Sequence, residues 1–106
     1  MHAAIYAWKA IPGREERFRA GWRRVTEAIR REHGSFGSRL HRTADGRFVA
    51  YALWPSEEAW KTAMAAESVD PEGFEMMCDS AEPDGIEGSV VATGDVIDDL
   101  LLAPEA

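Results

Sequence analysis

The most constraining feature of the sequence is a pair of strand-like runs, residues 36–43 and 47–54, that meet at Asp45-Gly46. Asp-Gly between two such runs is the strongest short-range signal for a β-hairpin, because glycine tolerates the positive φ that the turn requires. We therefore predict two antiparallel strands joined by a loop of only these two residues. An odd slip from this register would turn one strand's side chains to the opposite face.

In the predicted register, one face of the hairpin combines small side chains, aromatic walls and two polar groups. Such a combination is the usual lining of a small-molecule pocket, because small residues leave room above the sheet. The residues on this face would be Gly37, Arg39, His41, Phe48, Ala50, Ala52 and Trp54. The sequence therefore indicates this face as the place for any chemistry.

The other elements place the hairpin within a fold. An apolar stripe at helical spacing predicts the first helix, and its members are Phe18, Trp22, Val25 and Ile29. The predicted elements are a strand at 2–8, a helix at 14–33, the hairpin strands, a helix from Ser56, a short helix at 70–79 and a strand at 88–97. This order is typical of a ferredoxin-like βαββαβ domain of the α+β class, an antiparallel sheet with its helices on one face.

The second face of that sheet lacks a cover within one chain. The run from Phe48 to Trp54 has few polar residues on either side, as is typical of a strand that is covered on both faces. The chain has too few elements to supply the second cover. We therefore expect a homodimer in which a partner sheet provides it.

Charge is divided unevenly along the chain. All 12 Lys and Arg residues lie in residues 1–61, whereas residues 62–106 contain only acids among their charged groups. A basic helix by itself could bind nucleic acid, but the acidic half would repel phosphates. We expect no nucleic-acid partner and predict that the acidic segment lies beside the basic one.

Composition and motifs exclude several further classes. A single cysteine, Cys78, excludes an internal disulfide framework and a thiolate metal cage. No apolar run is long enough to cross a bilayer, and no basic segment precedes the first apolar run as in a signal peptide. We expect one cytoplasmic domain over residues 1–106, with no membrane partner.

Several boundary motifs resemble the antibiotic biosynthesis monooxygenase (ABM) family. These are Pro12-Gly13 at the start of the first helix, the Asp-Gly hairpin and the W-P-S-E-E-A-W segment at 54–60. The resemblance covers residues 2–67 well and the last strand with its 98–106 tail more loosely. It implies a dimeric α/β barrel, with the tail as a candidate contact to the partner subunit.

The family resemblance implies one of two oxidative chemistries. Its best-known activities are oxygenation of phenols and quinols without metal or flavin, and oxidative opening of heme. The heme-opening branch uses an Asn on the first strand, but this sequence has no asparagine and Tyr6 stands near that position. It also has no histidine after His41, so we expect no heme chemistry and predict neither cofactor nor metal.

The resemblance then suggests roles for three polar residues. We predict that His41 takes the proton of a phenol near neutral pH and that Arg39 and Tyr6 hold the resulting anion. Structural alternatives stay open, because Arg39 could instead pair with an acid across the dimer, such as Asp95. His41 could bind a backbone carbonyl, and Tyr6 could simply fill the core.

Three tryptophans complete the predicted site as substrate-binding residues. Trp54 and Trp60 would stack on a flat aromatic ring, and Trp8 would lie beside Tyr6. Trp8 could instead fill the core against the first helix, and Trp60 could simply pack on the sheet. Two functions therefore remain: a cofactor-independent monooxygenase for a small aromatic or quinol-like ligand, and a non-catalytic dimeric module that binds a small ligand or has a structural role.

Overall fold

The computed structural model describes residues 1–82 and 90–101 and contains the predicted order of elements. The elements are β1 (His2–Lys9), α1 (Glu15–His33), β2 (Gly37–Arg42), β3 (Arg47–Trp54), α2 (Glu57–Ala65), α3 (Pro71–Cys78) and β4 (Val90–Asp95). The predicted ferredoxin-like α+β fold is confirmed, and so is the short third helix. The predicted beginning of the last strand at Gly88 lies outside the described residues.

The four strands form one antiparallel sheet in the order β2-β3-β1-β4. Side chains alternate between its faces, and the helices pack on one of them. We call this the inner face; its residues on β1 and β3 are His2, Ala4, Tyr6, Trp8, Phe48, Ala50, Ala52 and Trp54. The outer face is the opposite one, with Ile5, Val49, Tyr51 and Leu53 half-buried at its centre.

The core lies between the inner face and the three helices. Phe18 of α1 is fully buried, and its ring stacks on Phe48 of β3 at 5.3 Å between centroids. Met77 of α3 packs into the same cluster. Ala63 of α2 packs with Trp54 in a second cluster. The apolar stripe predicted for the first helix therefore faces the sheet, as its spacing indicated.

Opposite charges hold α3 against α1. Arg17 makes a bidentate pair with Asp79, at 2.7 and 2.8 Å, and Arg24 makes another with Asp70, at 2.9 and 3.0 Å. The hydrogen bonds from these arginines hold the pKa values of both carboxyl groups below their usual range. Gly21 allows the close helix contact, since a Cβ there would lie 2.7 Å from the Gly73 carbonyl oxygen. The part of the acidic segment around α3 therefore lies beside the basic α1, in agreement with the prediction.

The predicted register of the hairpin is wrong by one residue. The Thr43 N–H donates to the Arg47 carbonyl at 2.9 Å, so the loop contains three residues, 44–46, instead of two. The Thr43 hydroxyl accepts from the Arg47 N–H at 3.0 Å, and Asp45 bonds to both Thr43 and Arg47. These polar contacts stabilise a three-residue loop with Gly46 at φ 85°.

Because the shift in register is odd, each side chain of β2 lies on the face opposite to the predicted one. His41 pairs with Val49 and Arg39 pairs with Tyr51, so both polar side chains lie on the outer face. The predicted grouping of Arg39 and His41 with Ala50 is therefore wrong, whereas Ser38 and Leu40 lie on the inner face.

No helix in residues 1–82 or 90–101 is both long and apolar enough to cross a membrane.

Candidate functional site

A cavity of about 390 Å³ lies between the inner face and the helices. Ala50 and Ala52 form a low floor at the centre of β3, because methyl side chains leave the space above them unfilled. Aromatic and aliphatic side chains form the walls. They include Tyr6, Trp8 and Trp54 from the sheet, Trp22, Val25 and Ile29 from α1, Ala63 and Met64 from α2, and Phe74 and Met77 from α3.

Tyr6 places a hydroxyl group in this apolar space. The hydroxyl oxygen accepts a hydrogen bond from Trp60 Nε1 at 2.8 Å, and the hydroxyl proton points to Met64 Sδ at 3.7 Å. Burial raises the pKa of Tyr6, and the bond from Trp60 offsets part of that rise. Tyr6 therefore stays protonated at neutral pH. Because a thioether is a weak acceptor, a ligand oxygen could replace it as the partner of this proton.

The three predicted tryptophans take three different positions. Trp8 lines the cavity and stacks on Tyr6, with 5.7 Å between ring centroids, while it also packs against Phe18. Trp54 lines the cavity, but its Nε1 is buried with no hydrogen-bond partner among the described residues. Trp60 does not line the cavity, but its Nε1 donates a hydrogen bond to the Tyr6 hydroxyl, which does.

Arg39 and His41 lie apart from this cavity. Both are exposed, and His41 Nδ1 lies 3.1 Å from the Val49 carbonyl oxygen. They border a groove along the edge of β2 together with Arg19, Arg23 and Arg42. The structure thus brings Tyr6, Trp8 and Trp54 together, and the sheet itself separates them from His41. The predicted catalytic roles of Arg39 and His41 stay predictions.

His33 is a cavity residue that the sequence analysis missed. It lies in the last turn of α1, four residues after Ile29, and both side chains line the cavity. The signal was present in the helical stripe, since residues four apart share a helix face. The prediction ended the stripe at Ile29 and treated His33 only as the helix terminus. Ser38 also lines the cavity, having been assigned to the other face by the incorrect register.

One group of side chains in the described residues has the ligand atoms for a metal ion. His2, Glu57 and Asp95 place their ligand atoms within 4.8 Å of one another. His2 Nδ1 is 3.0 Å from Asp95 Oδ1, and Lys61 Nζ is 2.7 Å from Glu57 Oε1. A lysine ammonium at this distance already neutralises Glu57. The group lies behind Trp60 and does not line the cavity.

The sequence has a cluster of four acids at residues 79–87, and two of them form ion pairs. Asp79 binds Arg17, and Glu82 lies 3.8 Å from Lys9. Asp84 and Glu87, the other two acids of the cluster, lie outside the described residues.

Comparison with known families now adds to this geometry. A sequence model of the antibiotic biosynthesis monooxygenase family matches residues 1–70, the segment from β1 through α2. The chain belongs to this family. The resemblance inferred from Pro12-Gly13 and the segment at 54–60 is confirmed. A comparison with curated proteins gives no match for this ABM protein.

Solved structures similar to this ABM protein support the fold. One, from Bordetella bronchiseptica and assigned to the same family, is 19% identical with a TM-score of 0.72, over 91% of this chain and 96% of that one. SnoaB, a cofactor-independent oxygenase from Streptomyces nogalater, is 17% identical with a TM-score of 0.67, over 93% and 96%. A further antibiotic biosynthesis monooxygenase is 19% identical with a TM-score of 0.68, over 92% and 100%.

Proposed function

We propose that this ABM protein is a monooxygenase that oxidises a small phenol or quinol-like aromatic in its inner-face cavity, without a cofactor. The observation that carries the proposal is the Tyr6 hydroxyl, a protonated donor inside an aromatic-walled space of about 390 Å³. The description of SnoaB as a cofactor-independent oxygenase supports the reaction class. Proteins of one fold can differ in chemistry, so the cavity residues carry the argument.

In the proposed reaction the substrate supplies the electrons and the protein supplies position and electrostatics. The ring lies over Ala50 and Ala52 between the aromatic walls. The Tyr6 hydroxyl donates to the substrate oxygen and stabilises the anion that forms when the substrate loses its proton. The electron-rich anion reacts with O₂; for a substrate with an oxidisable methylene, one oxygen atom enters that carbon as a carbonyl and the other leaves as water.

We also propose that the protein is a homodimer through its outer face. Ile5, Val49, Tyr51 and Leu53 are only half-buried in one chain, so a partner sheet would cover them. Ile97 and Leu100, which follow β4, are 89% and 93% exposed, and they are candidate contacts to the partner. In that arrangement Arg39 and His41 would lie near the interface. There Arg39 could pair with an acid of the partner subunit, and His41 could bind a backbone carbonyl.

The second candidate function is a dimeric module that binds a small ligand without catalysis. It is favoured by the position of His41, because the base predicted from the sequence lies on the other side of the sheet from the cavity. Binding and catalysis would use the same apolar walls. Only a turnover measurement separates these two functions.

That measurement is oxygen uptake with metal-stripped protein and a panel of hydroquinones, dihydroxynaphthalenes and anthrones. The chain has two tyrosines, Tyr6 in the cavity and Tyr51 on the outer face, so Tyr6→Phe and Tyr51→Phe form a matched pair. Loss of a hydrogen bond to an anion costs about 1.5–3 kcal/mol. We expect Tyr6→Phe to lower kcat/KM about 10- to 100-fold and Tyr51→Phe to leave it unchanged. Absence of uptake across the panel, from folded protein, would favour the non-catalytic module.

A further inference from the structure

We infer that His33 is the residue that takes the proton from the bound phenol or naphthol. This inference rests on the proposed function and adds the base that its reaction requires. An imidazole is the side chain that ordinarily exchanges protons near neutral pH. The chain has three histidines, and the structure separates them clearly by position.

His2 makes structural contacts with Asp95 and Trp60. Its side chain is 2% exposed, its Nδ1 lies 3.0 Å from Asp95, and its ring packs on Trp60 at 5.5 Å. His41 lies on the outer face with Nδ1 against the Val49 carbonyl. Neither ring lines the cavity, so neither can reach a substrate that is bound there.

His33, by contrast, lines the cavity. Its side chain is half-buried, and among the described residues its ring makes no hydrogen bond or ion pair. The base that takes a proton must lie within hydrogen-bond reach of it, and a wall residue of the cavity meets this condition. The imidazole is therefore free to accept a proton from a ligand.

The cavity carries its donor and its acceptor on different sides. Tyr6 lies on β1, whereas His33 is joined through a short connection to β2, two strands away across the sheet. Two strand spacings place the backbones of β1 and β2 about 10 Å apart. Ser38, on the inner face of β2, adds a hydroxyl on the His33 side. A fused-ring substrate with an oxygen at each side would reach both groups, whereas a single phenol ring would reach one.

The proposed step is a proton transfer with no change in oxidation state. The O–H bond of the substrate breaks, an N–H bond forms on the His33 imidazole, and the electron pair stays on the substrate oxygen. Two other titratable groups line the cavity: Tyr6, which is protonated, and Glu67, which is exposed in the connection between α2 and α3. Arg30 and Glu32, charged neighbours on α1, are exposed to solvent. Glu67 is therefore the competing base.

The test measures proton transfer apart from oxygenation. Without oxygen, 1,5-dihydroxynaphthalene is bound to each variant at pH 7, and the absorption of its naphtholate form is recorded. We expect the wild-type protein to raise the naphtholate fraction and His33→Gln to lower it about tenfold, equivalent to about one pKa unit. Loss of the signal in Glu67→Gln, with the signal retained in His33→Gln, would assign the base to Glu67 instead. Absence of a naphtholate signal in the wild-type protein, or its retention in His33→Gln, would overturn the assignment.

Turnover supplies the second readout. General-base catalysis contributes about 10²- to 10⁴-fold, so His33→Ala should lose about 100-fold or more in oxygen uptake. Added imidazole should restore part of the rate, an effect that a merely structural role for His33 would not give. Uptake that is unchanged in His33→Ala would reject the base while keeping the proposed function. A wild-type protein that forms naphtholate but consumes no oxygen would keep the base and reject the oxygenase.

Discussion

The two faces of the sheet are built by the same strands, yet they differ in what they can do. The inner face carries Ala50 and Ala52 under an aromatic-walled cavity that is also lined by the half-buried Tyr6. The outer face carries half-buried apolar side chains flanked by Arg39 and His41, which are exposed. One face therefore offers a ligand cavity between the sheet and the helices, whereas the other offers an open surface suited to a partner sheet.

A single loop residue decides which side chains of β2 face the cavity. A two-residue loop would have placed Arg39 and His41 over Ala50 and Ala52 and created a polar cavity. The three-residue loop places Ser38 and Leu40 there instead. As a result the polar groups of the cavity include Ser38 of β2 together with Tyr6 of β1 and His33 at the end of α1.

The largest expected effect concerns the packing that forms the cavity. Phe18→Ala removes a fully buried ring between the inner face and α1, and such a change costs about 3–5 kcal/mol of unfolding free energy. Phe36→Ala is the matched control, because the Phe36 side chain is 58% exposed. It should cost less than about 1 kcal/mol. Chemical denaturation measures both, and equal losses would contradict the assignment of the core to the inner face.

The next effect concerns ligand binding. Ala52→Phe would fill the cavity from its floor, whereas Leu53→Phe places the same ring on the outer face one residue away. We expect Ala52→Phe to weaken binding of 1,5-dihydroxynaphthalene about 100-fold, or about 2.7 kcal/mol, and Leu53→Phe to have no effect. Calorimetric titration without oxygen gives both affinities, with thermal unfolding as the check that each variant folds. Unchanged affinity in a folded Ala52→Phe protein would place the ligand elsewhere.

Acidification should produce the smallest effect, and it should arise from the helices on the inner side. Asp70 and Asp79 have depressed pKa values in the folded protein because Arg24 and Arg17 donate hydrogen bonds to them. Their contribution to stability is therefore present above the ordinary aspartate pKa, near 3.9, and is lost as the pH falls through the folded values.

Denaturation curves from about pH 5 to pH 2 measure this loss. The double variant Asp70→Asn, Asp79→Asn should show a flatter decline than the wild-type protein. A wild-type slope in the double variant would mean that these ion pairs do not stabilise the contact between α1 and α3.

The sequence predicted the elements well because each depends on local chemistry. The stripe on the first helix, the Ser56 N-cap, whose hydroxyl accepts from the Ala59 N–H, and Pro71 at the start of α3 are readable from a few residues. Register was not readable in this way. It depends on the Thr43 hydroxyl and the Asp45 carboxylate, which stabilise a longer loop than the Asp-Gly pair alone indicates.

The site was predicted only in part for the same reason. Tyr6, Trp8 and Trp54 follow from strand alternation and lie together, but Arg39 and His41 depended on the incorrect register. His33 was missed because its importance arises from three helices that meet over the sheet, a relation between distant segments. A stripe at helical spacing shows which residues face inward, but it does not show where the interior stays empty.

The central claim is that the aromatic ligand binds at the inner face. The most direct test is an NMR titration of the three histidine imidazoles with 1,5-dihydroxynaphthalene in the absence of oxygen. We predict that the His33 signals move with ligand concentration while the His41 signals stay in place. Movement of His41 with His33 unaffected would contradict it and place the ligand on the outer face.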